Sequence, residues 1–214
     1  MHAIKMLAGY GLTVKDILHI GAHWGQEAAS YNALGVENVI FVEAIPSLFE
    51  KLKKNLRNYP NFTAVCAVCS DVTGAEVEFN VSSNDGGSSS MLGLGNHANL
   101  YPQIRYVETL KLKTITADDL VAEHCPGKDF GLVVLDTQGA EMHVLRGATN
   151  VLKRAAALWI EVSEEPLYEG GCTFDEVTSY VREFGFRLRQ VHINAQGWGD
   201  ALYVSSAASM AQPK

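Results

Sequence analysis

The residues best suited to chemistry lie in three short stretches: Gly21-Ala22-His23-Trp24-Gly25, Glu43 with Ala44, and Asp136 through Glu141. In the first, two glycines let the backbone approach a ligand closely where the apolar run Ile17–Ile20 gives way to a helix, whose N-terminus offers free N–H groups. Glu43 closes a second apolar run, Val39–Glu43, about 20 residues beyond the loop, where a carboxylate can take the two hydroxyls of a ribose. Strand, glycine turn, helix, strand and carboxylate together are the plan of an adenosine-binding unit. The loop is G-x-x-x-G and lacks the middle glycine of G-x-G-x-x-G, against which a pyrophosphate would press. A ligand with adenosine but no phosphates tolerates the bulkier loop. The glycine pair alone would equally suit an ordinary strand–helix turn, and Glu43 is what gives it meaning.

A sheet must position these groups. Beyond the first two strands, Phe62–Val68, Ala75–Val81, Val107–Thr114, Leu132–Leu135, Leu158–Val162, Phe186–Ile193 and Ala201–Val204 have strand character. Helices are expected over about 25–34 and from Pro46, with Leu48, Phe49, Leu52 and Leu56 at helical spacing. Further helices are capped by Thr116, run along the shared face of Ala140, Val144, Leu145, Ala148, Val151 and Leu152, and span Phe174–Phe184. Residues 82–99, rich in Ser, Gly and Asn, read as a long mobile loop or a lid, and 206–214 as a frayed tail. With no internal repeat, residues 1–214 form a single α/β domain with its core over about 15–205: an open, mostly parallel sheet with helices on both faces. Such sheets bind ligands beyond the carboxyl ends of their strands, so the glycine loop, Glu43, Ser70 with Asp71, and Asp136–Glu141 should converge on one cleft.

Composition narrows the partners. The chain has 214 residues, 47% of them hydrophobic, and a net charge of −7 that disfavours general binding to nucleic acid or anionic membranes. No apolar run approaches the roughly 18 residues of a membrane span, and the N-terminus lacks the pattern of a signal peptide. Four cysteines without disulfide-scaffold spacing favour a reducing, cytoplasmic setting.

The motifs His-Ile-Gly-Ala-His-Trp-Gly-Gln-Glu, Phe-Val-Glu-Ala-Ile-Pro, Cys-Ser-Asp-Val-Thr-Gly, Gly-Ser-Ser-Ser-Met-Leu and Leu-Asp-Thr-Gln-Gly-Ala-Glu, the last followed by Leu-Arg-Gly-Ala, resemble the FkbM family of methyltransferases over roughly 15–205. The resemblance implies a Rossmann-like class I methyltransferase fold and S-adenosylmethionine-dependent O-methylation of a sugar or another small hydroxylated acceptor. It places Gly21, Ala22 and Gly25 under the methionine and ribose, Glu43 on the ribose hydroxyls, Ala44 and Ile45 at the adenine, Asp71 at its amino group, and Asp136 near the ammonium or the methyl. Two positions depart from the family: His19 replaces a frequent acidic residue, and Val134 a common lysine.

An alcohol acceptor must lose its proton as it attacks, so Asp136, Glu141 and His143 are candidate bases, with Glu164–Glu165 behind them. Glu141 could equally serve the helix dipole and His143 face solvent. His19 and His23 are further candidates for contact with the cofactor. Cys66 and Cys69 have metal spacing, but a strand points i and i+3 to opposite faces. A divalent metal is conceivable, although no three-carboxylate cluster is visible. Trp24, Trp159 and Trp198 read as packing residues. The rival readings are an NAD(P)-dependent oxidoreductase and a catalytically silent cofactor-binding domain; oligomeric state is unreadable.

Overall fold

The computed structural model describes residues 2–210. Seven strands form the main sheet in the order β3-β2-β1-β7-β8-β10-β9. They are β1 (Asp16–Ile20), β2 (Asn38–Glu43), β3 (Phe62–Cys66), β7 (Leu132–Leu135), β8 (Ala157–Ser163), β9 (Phe186–Ile193) and β10 (Trp198–Ser205). Strands β3 to β8 run parallel and β10 runs antiparallel to both its neighbours, as the mostly parallel pattern predicts. The strand order reverses at β1, which lies between β2 and β7, so the cleft opens beyond the C-terminal ends of β1 and β7.

Alternation along the strands loads both faces. Leu18, Ile20, Val133 and Leu135 point toward α5 (Ala117–His124), α6 (Glu141–Arg146), α7 (Thr149–Arg154) and α8 (Phe174–Glu183). Ile17, Val39, Phe41, Leu132 and Val134 point toward α1 (His2–Gly9), α2 (Ala28–Ala33) and α3 (Pro46–Asn55). Burial on both sides explains why these strands read as continuous apolar runs. Helix starts follow local chemistry: Pro46 opens α3, the Thr116 hydroxyl accepts from the Asp119 N–H at 3.0 Å, and Thr173 with Glu176 forms a capping box on α8.

Several elements differ from the sequence reading. The third strand ends at Cys66; at Ala67 the chain leaves the main sheet and enters a second one, β4-β6-β5, made of β4 (Val68–Cys69), β5 (Glu76–Ser82) and β6 (Tyr106–Ile115). The helix over 140–152 is broken into α6 and α7, because Gly147 packs against the Ser70 carbonyl so closely that a Cβ would lie 2.1 Å from it. The expected mobile loop is tied down. Ser88, Ser89 and Ser90 are buried, the Ser82 N–H donates to Ser89 Oγ at 2.9 Å, Ser90 bridges to Asn80, and α4 (His97–Leu100) follows. Its serine hydroxyls bond the backbone that a composition-based reading leaves to water. Helix α1 was not expected, and Ser206–Met210 forms α9 where a frayed end was; 211–214 lie outside the described residues. No helix is long and apolar enough to cross a membrane among the described residues.

Leu52 is fully buried, and a Cβ on Gly25 would lie 2.6 Å from its Cδ1, so this side chain is the seat of the glycine loop. Leu52→Ala is expected to cost about 2–5 kcal/mol in denaturant unfolding. A loss below about 1 kcal/mol would show that the loop does not rest on this contact.

Candidate functional site

A cavity of about 380 Å³ opens beyond the C-terminal ends of β1, β2 and β7. Gly21, His23, Glu43, Ala44, Ile45 and Asp136 line it, joined by the apolar Val42, Val68, Phe79 and Met91. Gly21 has φ +85°, and a Cβ there would sit 1.7 Å from the Asp136 carbonyl oxygen, so only glycine lets the two strand ends meet. Both carboxylate oxygens of Glu43 are held: Oε2 accepts from the His23 N–H at 2.8 Å, and Oε1 from the Ile45 N–H at 2.8 Å. Burial pushes the Glu43 carboxyl up to about 7, against the pull of those N–H donors. The non-glycine residues with positive φ among the described residues are His23 and Gln138, which line the cavity, and Asp85, which does not. Two of them meet directly, His23 Nε2 lying 2.8 Å from the Asp85 carbonyl oxygen. Strained backbone clustered in this way marks sites where geometry is held by its surroundings.

Asp136 keeps solvent contact through the open cavity, yet the protein encloses it closely enough that desolvation raises its carboxyl above the usual range. Gln138 Nε2 donates to Asp136 Oδ1 at 2.5 Å and to Glu161 Oε2 at 3.0 Å, bridging two carboxylates. Desolvation, then the fields of Asp136, Glu141 and Asp200, hold Glu161 well above the ordinary range. The Tyr168 hydroxyl donates to Gln138 Oε1 at 2.7 Å and fixes the orientation of the amide.

A second cavity of about 360 Å³ adjoins the first and shares Asp136 and Gln138 with it. Its wall includes Asn84, Ser88, His97, Tyr101, Tyr168 and Trp198. Neither cavity is lined by a Lys or Arg among the described residues. Among the described residues two buried side-chain polar atoms lack a partner within the protein: His97 Nδ1, on a residue of the second cavity's wall, and Glu27 Oε2, on a residue that lines neither cavity.

The other expected site residues lie elsewhere. Ala22 is buried in the core, with its N–H on the Val42 carbonyl, and Gly25 packs on Leu52; neither lines the cavity. Asp71 also lies off the cavity wall, 3.8 Å from His143, and Ala67, Val68 and Cys69 line the stretch it was expected to serve. His143 belongs to an outer groove beside α8, too far round the helix to face the cleft. Glu141 is buried and closes the Asp136–Gly139 turn: its Oε1 accepts from the Thr137 N–H at 2.8 Å and the Thr137 hydroxyl at 3.0 Å. Burial raises its carboxyl to about 7, but its lone pairs serve that turn. Glu164 and Glu165 are exposed outside both cavities. His19 packs among Tyr31 and Phe41, where burial lowers it to about 3 and keeps it neutral. Cys66 is exposed on β3 and Cys69 buried on β4; no group of three or more potential metal ligands is present among the described residues. Trp24 is exposed beside the cofactor-sized cavity and Trp198 walls the second one, so packing does not account for either. Glu161, Gln138 and His97 were missed, although a carboxylate inside the apolar run Trp159-Ile160-Glu161-Val162 was a readable signal.

The profile of the methyltransferase FkbM domain matches residues 19–188. The 2-O-methyltransferase NoeI of Sinorhizobium fredii is 27% identical over 161 residues, 72% of this chain and 65% of that protein, so the chain spans just under two thirds of that relative. Among solved structures, magnesium protoporphyrin IX methyltransferase of Synechocystis with bound SAH superposes with a TM-score of 0.56 at 8% identity, covering 96% of this chain and 80% of that one. Fibrillarin, a pre-rRNA processing protein of Methanococcus jannaschii, gives 0.53 at 10% identity, covering 90% and 66%. At such identities the likeness concerns the fold, which is the Rossmann-like class I methyltransferase arrangement.

Glu43 supplies a pH signature. Its carboxyl ionises near 7 in the folded chain and near the ordinary value of about 4.3 when unfolded, so the folded chain holds the proton more tightly. That stabilisation is complete below the unfolded value and is lost as pH rises through about 7. Urea titrations at about pH 5 and 8 should show the wild type losing more stability across this window than Glu43→Gln, on the order of 2 kcal/mol. Parallel pH dependence in the two proteins would contradict this assignment.

Proposed function

The chain belongs to the FkbM methyltransferase domain family, and from that premise we propose that it is an S-adenosylmethionine-dependent O-methyltransferase acting on a hydroxyl of a small molecule or glycan. The observation that carries this reading is the common floor of the two cavities: Asp136, with a raised carboxyl, stands where a cofactor in one and an acceptor in the other would meet. The fit to the cofactor rests on the chain's own residues. Gly21 leaves room for close backbone approach, Glu43 offers both oxygens to a ribose, and Ala44 and Ile45 with Val68 and Phe79 suit an adenine.

When bound, the sulfonium supplies a methyl group already activated for attack by oxygen. The protein must then align the acceptor hydroxyl, exclude water and receive its proton. Asp136 is the proton acceptor in this scheme, and its raised carboxyl brings it nearer the range a base needs at neutral pH. Gln138 orients it, its amide donating to both Asp136 and Glu161. A dinucleotide would bring its pyrophosphate to a wall without Lys or Arg, which disfavours an oxidoreductase. The net charge of −7 supports a small acceptor over nucleic acid, and four free cysteines support a cytoplasmic setting.

Calorimetry should show S-adenosylhomocysteine binding that weakens at least tenfold, about 1.4 kcal/mol, in Glu43→Ala. Binding of NADH without S-adenosylhomocysteine would replace this reading with an oxidoreductase. With methyl-labelled cofactor and a cell extract, Asp136→Asn should cut product formation roughly 10²–10⁴-fold, the usual worth of a general base. A wild-type rate in that variant would move proton transfer to another group.

A further inference from the structure

We propose that the second cavity is the acceptor pocket, that it selects an uncharged, polyhydroxylated ring, and that His97 makes the hydrogen bond fixing which hydroxyl is presented to Asp136. This rests on the methyl-transfer reading and specifies what that reading leaves open. The first ground is position. The cavity meets the cofactor-sized one at Asp136 and Gln138, so a ring seated in it has its nearest edge at the carboxylate that would take the proton.

The second ground is the chemistry of the wall. Tyr101, Tyr168 and Trp198 are fixed by bonds among their polar ends: the Trp198 indole N–H donates to the Tyr101 hydroxyl at 2.8 Å, and the Tyr168 hydroxyl to Gln138. With those ends engaged, the half-buried rings of Tyr101 and Trp198 offer apolar surface, which suits the C–H faces of a sugar-like ring. Asn84 and Ser88 add amide and hydroxyl groups. An acceptor with a carboxylate or phosphate in the pocket would meet Asp136 with no Lys or Arg in the wall to offset it, a like-charge contact.

The third ground is His97. Its ring is 5% exposed and packed between Tyr101 and Tyr168, with centroids 4.9 and 5.3 Å away, and its backbone N–H is bonded to the Leu167 carbonyl. Nδ1 nonetheless has no partner in the protein. Burying such a nitrogen unpaired is unfavourable, and a ligand hydroxyl would complete it. A neutral imidazole can give or accept that bond, as burial, which lowers the His97 pKa, favours.

The test uses the full chain, methyl-labelled S-adenosylmethionine and a panel of methyl hexosides and methyl deoxyhexosides, each paired with its uronate or phosphate ester. Neutral members should be methylated at one hydroxyl, and their charged partners at least tenfold less efficiently in kcat/KM. His97→Phe should bind S-adenosylhomocysteine within twofold of wild type while losing at least tenfold in kcat/KM or methylating several hydroxyls; His97→Gln should recover part of the loss. Equal use of charged and neutral partners would overturn the charge selection. Unchanged efficiency and a single product in His97→Phe would overturn the role of His97. If the protein binds S-adenosylhomocysteine but methylates no glycoside, while methylating a phenol or another acceptor from an extract, the ring assignment is wrong and the methyl-transfer reading survives. If it binds no S-adenosylhomocysteine, the methyl-transfer reading itself fails.

Discussion

Most of what the site can do depends on the contact between Gly21 and Asp136. Adjacent parallel strands β1 and β7 end side by side, and the loop leaving β1 must turn across the mouth of β7. It can do so because position 21 carries no side chain: a Cβ would overlap the Asp136 carbonyl. The same backbone conformation lets the N–H groups of Gly21 and Ala22 both reach the Val42 carbonyl at 3.0 and 2.9 Å, tying the loop to the end of β2 as well. Three strand ends are thus drawn together, and with them Glu43, His23 and Asp136. The absence of one methyl group sets the spacing between the carboxylate suited to a ribose and the carboxylate suited to a proton.

That convergence concentrates negative charge. Desolvation raises the proton affinity of Asp136, Glu141 and Glu161, and charge adds to it: Asp200 acts on Asp136, Asp136 on Glu141, and Asp136, Glu141 and Asp200 on Glu161. Folding tolerates the cluster because each carboxylate has donors: backbone N–H groups for the buried Glu43 and Glu141, the Gln138 amide for Asp136 and Glu161. Gln138 adopts φ +54° to reach both partners. A strained residue is held by what it bridges, and what it bridges is the boundary between the two cavities.

The centre of the main sheet was legible because β1, β2 and β7 bury apolar residues on both faces, and such runs announce themselves. Glu43 was legible because a carboxylate ending an apolar strand at that spacing has few other uses. The passage of the chain at Ala67 into a second sheet was not, since Val65 to Cys69 is apolar on both sides of the crossing. The serine-rich segment misled for a physical reason: serines signal flexibility only when their hydroxyls face water, and here the hydroxyls bond one another and the backbone. His143 and Asp71 were expected in the cleft, but His143, on α6, belongs to the groove beside α8, and Asp71, after β4, stands off the cavity wall near it. Glu161 was passed over because a strand assignment absorbs its residues without asking what a charge does inside an apolar run.

The second sheet gives the serine-rich segment its consequence. Phe79 on β5 and Met91 wall the first cavity, while Asn84 and Ser88, between them in sequence, wall the second. Asn84 and Ser88 are bonded to each other at 3.0 Å, and Ser88 N–H to Ser82 Oγ at 3.0 Å, so one continuous hydrogen-bonded strap serves both chambers. The shared boundary of the two cavities is therefore two-sided: the Gln138 bridge between carboxylates on one side and a hydroxyl-bonded wall on the other.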